Sequence, residues 1–365
     1  MDPFWCVVAF WVDGVGIGQA PNFFLGRDFL DRVNRKLHGQ VLDFTHNHGC
    51  DRRIWSPALG QKRDLYVYLP PGFDPKQRYP LAIFLHGAGQ DEQFFIQAQV
   101  EHFDKAIMAG QMPPVIIAAP DGTLHGRVSA TEPASFFANS KAGAFEDYVM
   151  IDVWNFVHET FPIKPERESH AIVGVSMGGS AAFAFAIKHR DRIKAAMGFF
   201  PLLNLRYVDC EGKYRSRFDP GCFGLRERFH GLEKLGRRKL VLLRFRDLFE
   251  PIFGRGPGAI AGMSAINPLE LMERTDLKDG ELDLYVAYGG KDEFNVAAQV
   301  ESFLFFAKQR GVTVTVDYDP NGRHDLKTGL RMMPNALQWA AQKVVVQNQR
   351  RLGNTIFTST PRERK

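Results

Sequence analysis

Long apolar runs are missing from this chain. The best candidate, FWCVVAFWV at 4–12, falls far short of the ~20 residues that a membrane-spanning helix needs. Charge of one sign is also scarce. The net charge is only +5 over 365 residues, and the basic clusters, Arg237-Arg238-Lys239 and the tail residues Arg362, Arg364 and Lys365, carry no interleaved aromatics. A nucleic-acid groove needs a longer basic stripe, so that partner is excluded. Four cysteines rule out a disulfide-dense scaffold and supply no short-spaced pair for a metal. Neither an internal repeat nor a low-complexity tract is present. What remains, 45% hydrophobic and 24% charged residues, suits a globular protein with a sizeable core.

Two features stay open at this level. Cys210 and Cys222 flank the polar stretch CEGKYRSRFDPGC, which fits either a small ring closed in an oxidising compartment or two separate thiols. A secretory leader carries positive charge ahead of its apolar core, but here Asp2 precedes the run and the first basic residue is Arg27. Residues 1–39 are therefore either a degenerate leader or anchor, or a buried N-terminal segment. Membrane association is left open, an extracytoplasmic location is slightly favoured, and nothing fixes the oligomeric state.

From about residue 40, short apolar runs alternate with helical periodicity, the mark of an α/β fold. RDLYVYLPP (63–71) alternates like a half-buried strand, and LAIFLH (81–86) is a buried strand ending in the turn HGAGQ. Ile96, Val100, Phe103 and Ile107 then stack on one helical face. A strand at 115–122 and a helix through 145–161 follow, with Val149, Val153, Phe156 and Val157 inward. Strands at 170–176 and 194–200 come next. The alternation then breaks over 203–262, which is read as an insertion over the sheet's end, with the character of a lid. It resumes with a strand at 282–290, a helix through 297–310, a strand at 313–319 and a last helix near 335–346. The catalytic domain spans 40–347, and 348–365 is a polar, frayed tail.

AIVGVSMGGSAA (171–182) holds the strongest chemical signal. Gly-X-Ser-X-Gly between a strand and a helix is a nucleophile elbow, a tight turn that pushes the hydroxyl of Ser176 out at the sheet's carboxyl end. Gly174 and Gly178 remove the Cβ atoms that would collide as the chain reverses. The helix that follows places its N-terminal dipole under developing negative charge. A serine hydroxyl needs a base oriented by a third group, in the order Ser, Asp or Glu, His, each partner on a loop after a later strand. Asp292 follows the strand 282–290 and His324 follows the strand 313–319. Of eleven histidines, His324 alone lies after both the acid and a strand. Glu293 is the rival acid, with Asp292 favoured as first after the Gly-Gly turn, and Asp325 is expected to hydrogen-bond locally. His46 and His48 lack further ligand spacing and read as turn or surface residues, so no metal site is expected. Two amides must face the oxyanion: one from Met177, directly after the serine, the other from HGAGQ (86–90).

With these segments in place, the chain resembles the "putative esterase" family of α/β-hydrolases, which groups esterase D, feruloyl esterases, enterochelin-esterase-like proteins and mycolyltransferases. The likeness runs from about 40 to 345 through DRRIWSPALGQKRDLYVYLPPGFDP, FLHGAG, APDG, SFFANS, FEDYVMIDVWNFV, GVSMGGSAA, YGGKDEF and GRHD. The first segment also resembles tributyrin-esterase-like bacterial proteins. The resemblance implies an α/β-hydrolase fold, Ser176 as nucleophile, His324 as base and then acid, Asp292 as orienting acid, and oxyanion amides on Met177 and Ala88. It further implies that His86 and Gly87 border the substrate. Gln90 stands where many relatives have glycine, and the insertion 203–262 has no clear match in the smaller esterases.

The expected activity is hydrolysis of a small-molecule carboxylic ester through an acyl-enzyme, with no metal or organic cofactor. An acyltransferase using the same three residues, with a sugar or glycerol hydroxyl as acceptor, is the alternative. A non-catalytic binding domain of the same fold is the third reading.

Overall fold

Runs of apolar residues buried on both faces mark the middle of a sheet covered by helices. In the computed structural model, which describes residues 27–129, 134–238 and 241–356, eight strands form that sheet. They are β1 (Gln40–Phe44), β2 (Leu65–Leu69), β3 (Leu81–Leu85), β4 (Ile116–Pro120), β5 (His170–Val175), β6 (Ala195–Phe199), β7 (Asp283–Gly289) and β8 (Thr315–Asp319). Their spatial order is β1-β2-β4-β3-β5-β6-β7-β8. Strand β2 runs antiparallel to both neighbours, and every pair from β4–β3 to β7–β8 is parallel. This is the α/β-hydrolase architecture. The loops that follow β3, β5, β7 and β8 consequently open on one edge of the sheet.

Several elements differ from their sequence pattern. The alternation of β2 reflects no half-buried strand, since Tyr66 and Tyr68 are fully buried along with their neighbours. Their rings sit inside while each hydroxyl finds a polar partner: Tyr68 donates to Asp104 at 2.9 Å, and Tyr66 pairs with His48 at 2.7 Å. His48 is therefore a buried residue and not a surface one, while His46 lies against Asp64 at 2.8 Å. The helix after β3 breaks at Gln99 into Gln93–Ala98 and Val100–Met108, and the next one contains a π-helical segment, Tyr148–Val153. The last helix begins at Leu326, nine residues earlier than its periodicity suggests, and continues through Pro334 to Ile356. Asp325 explains the start, because its Oδ1 accepts the Thr328 amide at 2.8 Å and caps the first turn.

The helix Met177–Lys188 after β5 is buried from Met177 through Ile187. A helix without a polar face belongs inside, and its small residues allow that close seat. The insertion folds as two hairpins, Tyr207–Asp209 with Phe223–Leu225 and Lys234–Arg238 with Val241–Arg244, followed by helices Phe245–Phe253 and Pro257–Ile266. Its Tyr214, Leu235, Phe245 and Phe249 belong to the same apolar core as the sheet. Cys210 and Cys222 form a disulfide, which resolves the open pair. No helix among the described residues is long and apolar enough to cross a membrane. The apolar run at 4–12, Lys239 and the basic residues Arg362, Arg364 and Lys365 lie outside the described residues.

Candidate active site

Glycine geometry builds the serine turn. A Cβ on Gly174 would sit 2.1 Å from the Gly178 carbonyl oxygen, and one on Gly178 would sit 2.1 Å from that of Leu85. No real side chain tolerates such contacts, so both positions must be glycine. Between them Ser176 adopts φ 55° and ψ −115°, a conformation that costs a non-glycine residue on the order of 1–3 kcal/mol. The surroundings enforce it: the Ser176 amide donates to Phe199 O at 2.7 Å, and Ser180 N donates to Ser176 O at 3.0 Å.

Residues from three separate loops meet at this hydroxyl. Nε2 of His324 lies 2.9 Å from Ser176 Oγ, and Nδ1 lies 2.6 Å from Oδ2 of Asp292. The second carboxylate oxygen accepts the Phe294 amide at 2.8 Å. A ring whose Nδ1–H donates to the carboxylate leaves Nε2 as the acceptor facing the serine. Asp292 and His324 are 0% and 3% exposed at their side chains, which excludes water and strengthens the row of hydrogen bonds. The rings of Phe200 and Phe294 flank the imidazole, with centroids 5.3 and 4.9 Å away.

The rival acid has another position. Glu293 Oε2 accepts the main-chain amide of His324 at 3.2 Å, while Oε1 takes the guanidinium of Arg323. It holds the backbone of the histidine and not its ring. The acid's strand and the histidine's loop are also pinned together. A Cβ on Gly289 would lie 2.4 Å from the Gly322 carbonyl, and Gly290 and Lys291 each donate an amide across the gap at 2.9 Å, to Asp319 O and Gly322 O.

Ala88 lies in the turn after β3, and Met177 opens the buried helix, whose first amides have no acceptor within the helix. No hydrogen bond from either amide is formed among the described residues. The turn is braced from behind. Gly87 N donates to Oε1 of Gln90 at 2.8 Å. His86 Nδ1 donates to Gly87 O at 2.9 Å, and its Nε2 accepts the Gly122 amide at 2.8 Å. His86 is buried, and burial pushes its pKa down, in keeping with a neutral ring. His86 and Gly87, expected to border the substrate, are held from inside: both ring nitrogens and the Gly87 amide are engaged within the protein. Gln90 is the brace that the sequence pattern did not assign, and its only signal was a bulky amide in a glycine-rich turn.

Behind this turn lies a buried acidic group. Asp121 pairs with Arg63 at 2.7 Å, both essentially without exposure. Burial and the neighbouring Asp121 push Asp91 up to about 7, and burial with the Asp91 charge raises Glu92 well above the usual carboxylate range. Glu92 accepts the Asn47 side-chain amide at 2.6 Å. Among the described residues no cluster of three or more His, Cys, Asp or Glu is placed to hold a metal ion.

Comparison with known proteins converges on one group. The sequence profile of the family described as "Putative esterase" matches residues 56–327. Esterase Rv1288 of Mycobacterium tuberculosis is 27% identical over 192 residues, which cover 50% of this chain and 38% of that protein. The chain thus spans well under half the length of this curated relative. Among solved structures, a ferulic acid esterase superposes with a TM-score of 0.61 at 16% identity, covering 84% of this chain and 99% of the other. An S-formylglutathione hydrolase from Agrobacterium tumefaciens gives 0.58 at 17% identity, covering 84% and 96%. At such identities the superpositions establish the fold.

Proposed function

Because this chain belongs to the family described as "Putative esterase", we propose that it hydrolyses small-molecule carboxylic esters through an acyl-enzyme on Ser176. His324 is the general base and then the general acid, and Asp292 orients and stabilises its ring. The observation that carries this reading is the continuous row from Asp292 Oδ2 through His324 to Ser176 Oγ, at 2.6 and 2.9 Å.

The chemistry follows from that row. As Oγ bonds to the ester carbonyl carbon, its proton passes to Nε2, and the buried Asp292 stabilises the imidazolium. The carbonyl oxygen becomes an oxyanion facing the amides of Met177 and Ala88, and loss of one such donor typically costs about 100-fold or more in rate. Collapse breaks the carbonyl–alkoxy bond, and Nε2–H protonates the departing alcohol. Water then gives a proton to Nε2 as it attacks the acyl carbon, and the acid leaves with Ser176 restored. The unusual backbone at Ser176 serves this sequence by holding the hydroxyl clear of the helix that follows it.

The test is Ser176→Ala assayed on a small chromogenic ester such as p-nitrophenyl acetate. Turnover is expected to fall to background with an unchanged circular dichroism spectrum and no labelling by a fluorophosphonate. Turnover at the wild-type rate in a pure preparation overturns the assignment.

A further inference from the structure

We propose that the disulfide-closed loop 210–222 of the insertion is a clamp on the acid loop, and that Tyr214 and Arg215 are positioning residues for Asp292. The inference rests on the serine-hydrolase reading above. The ring is closed twice, by the Cys210–Cys222 bond and by the strand pair Tyr207–Asp209 with Phe223–Leu225. From its interior the buried Tyr214 donates its hydroxyl to the carbonyl of Phe294 and accepts from Gln299 Nε2 at 2.9 Å. Arg215 Nη1 donates to the carbonyl of Glu293 at 2.8 Å and to that of Leu235 at 3.1 Å. In return, Asn295 Nδ2 donates to Tyr214 O at 2.6 Å and to Ser216 O at 3.1 Å.

Residues 293, 294 and 295 are therefore all tied to the ring, directly after the acid. Asn295 sits in the left-handed region, φ 58° and ψ 32°, which asparagine tolerates better than most residues. Phe294 carries the effect inward: its carbonyl is held by Tyr214, its amide donates to Asp292 Oδ1 and its ring packs on His324. A lid would touch substrate, and changing it would raise KM. A clamp acts only through the orientation of the carboxylate, and changing it lowers kcat. A slackened carboxylate also supports the imidazolium less well.

The test compares Tyr214→Phe with wild type, both normalised by fluorophosphonate titration of active serines. The expected result is kcat lower by about tenfold, KM unchanged, and the acid limb of the kcat–pH profile moved to lower pH. Reducing the wild-type disulfide should give the same pattern. Wild-type kcat with an unmoved acid limb overturns the clamp, as does a rise in KM with kcat kept. If Tyr214→Phe does not fold, Arg215→Met, altered at an exposed side chain, carries the same expectation at smaller size, and a wild-type profile in it is equally decisive. Turnover surviving in Ser176→Ala would sink the serine-hydrolase reading instead, so the two failures are distinct.

Discussion

The turn that presents Ser176 and the loop that presents Asp292 face each other across one imidazole, and they are held by different forces. On the serine side, backbone meets backbone: Gly174 and Gly178 leave no room for a single extra carbon, and the Ser176 amide is held by the Phe199 carbonyl. On the acid side, Tyr214 and Arg215, more than 70 positions away in the insertion, reach in to the carbonyls of Phe294 and Glu293, and the Asn295 side chain reaches back to the insertion's backbone. Steric constraint is all-or-none, because an overlap of an ångström or more cannot be relaxed without moving the strand. Hydrogen-bonded constraint is graded, since each bond contributes on the order of 1 kcal/mol and can be loosened one at a time. The first kind suits a part whose geometry must never vary. The second gives a handle by which rate can be adjusted without unfolding the enzyme.

The harshest way to break that contrast is Gly178→Ala. It should leave no folded protein in a soluble preparation read by circular dichroism, and a folded variant with a native melting temperature would show that sterics do not govern the serine side. Next in size is Asp292→Asn, for which kcat should fall by about 10³- to 10⁴-fold with little change in thermal stability. Glu293→Gln, by contrast, keeps an acceptor for the His324 amide and should change kcat by less than about threefold; equal losses in the two would erase the distinction between ring-orienting and backbone-holding acids. The smallest effect concerns the brace behind the HGAGQ turn. With Asp91 raised to about 7 by burial and by Asp121, the folded chain binds that proton more tightly than the unfolded one. Stability therefore declines as pH rises from the ordinary carboxylate range of ~4 towards 7, and levels off above it. Asp91→Asn should raise the melting temperature by a few degrees at pH 8, with the gain shrinking towards pH 4. A gain independent of pH would place the effect elsewhere.

The same contrast explains what the amino-acid sequence made legible. Gly174, Ser176 and Gly178 are contiguous in the chain and Gly174 makes room for the turn's own backbone, so five letters announce the turn even though Gly178 also clears Leu85. Asp292 and His324 could be ordered along the chain because each follows an apolar strand run. The clamp by Tyr214 could not, because nothing local tells a buried tyrosine hydroxyl which carbonyl it will meet 80 positions later. The insertion looked irregular for that reason, its hairpins being short and its purpose lying in long-range contacts. A helix end departs from its periodicity where one side chain decides it, as Asp325 does for the final helix. Tyr66 and Tyr68 misled in the opposite direction, their polar tips disguising a strand buried on both faces.

Because Gly289 rests directly on Gly322, the carboxylate and the imidazole ride on what is mechanically one plate. The loops that carry the acid and the histidine are thus fixed to each other by contacts that do not pass through the serine turn. The imidazole keeps its hydrogen bond to Asp292 on that plate, and one short contact, from imidazole to hydroxyl, joins it to the serine.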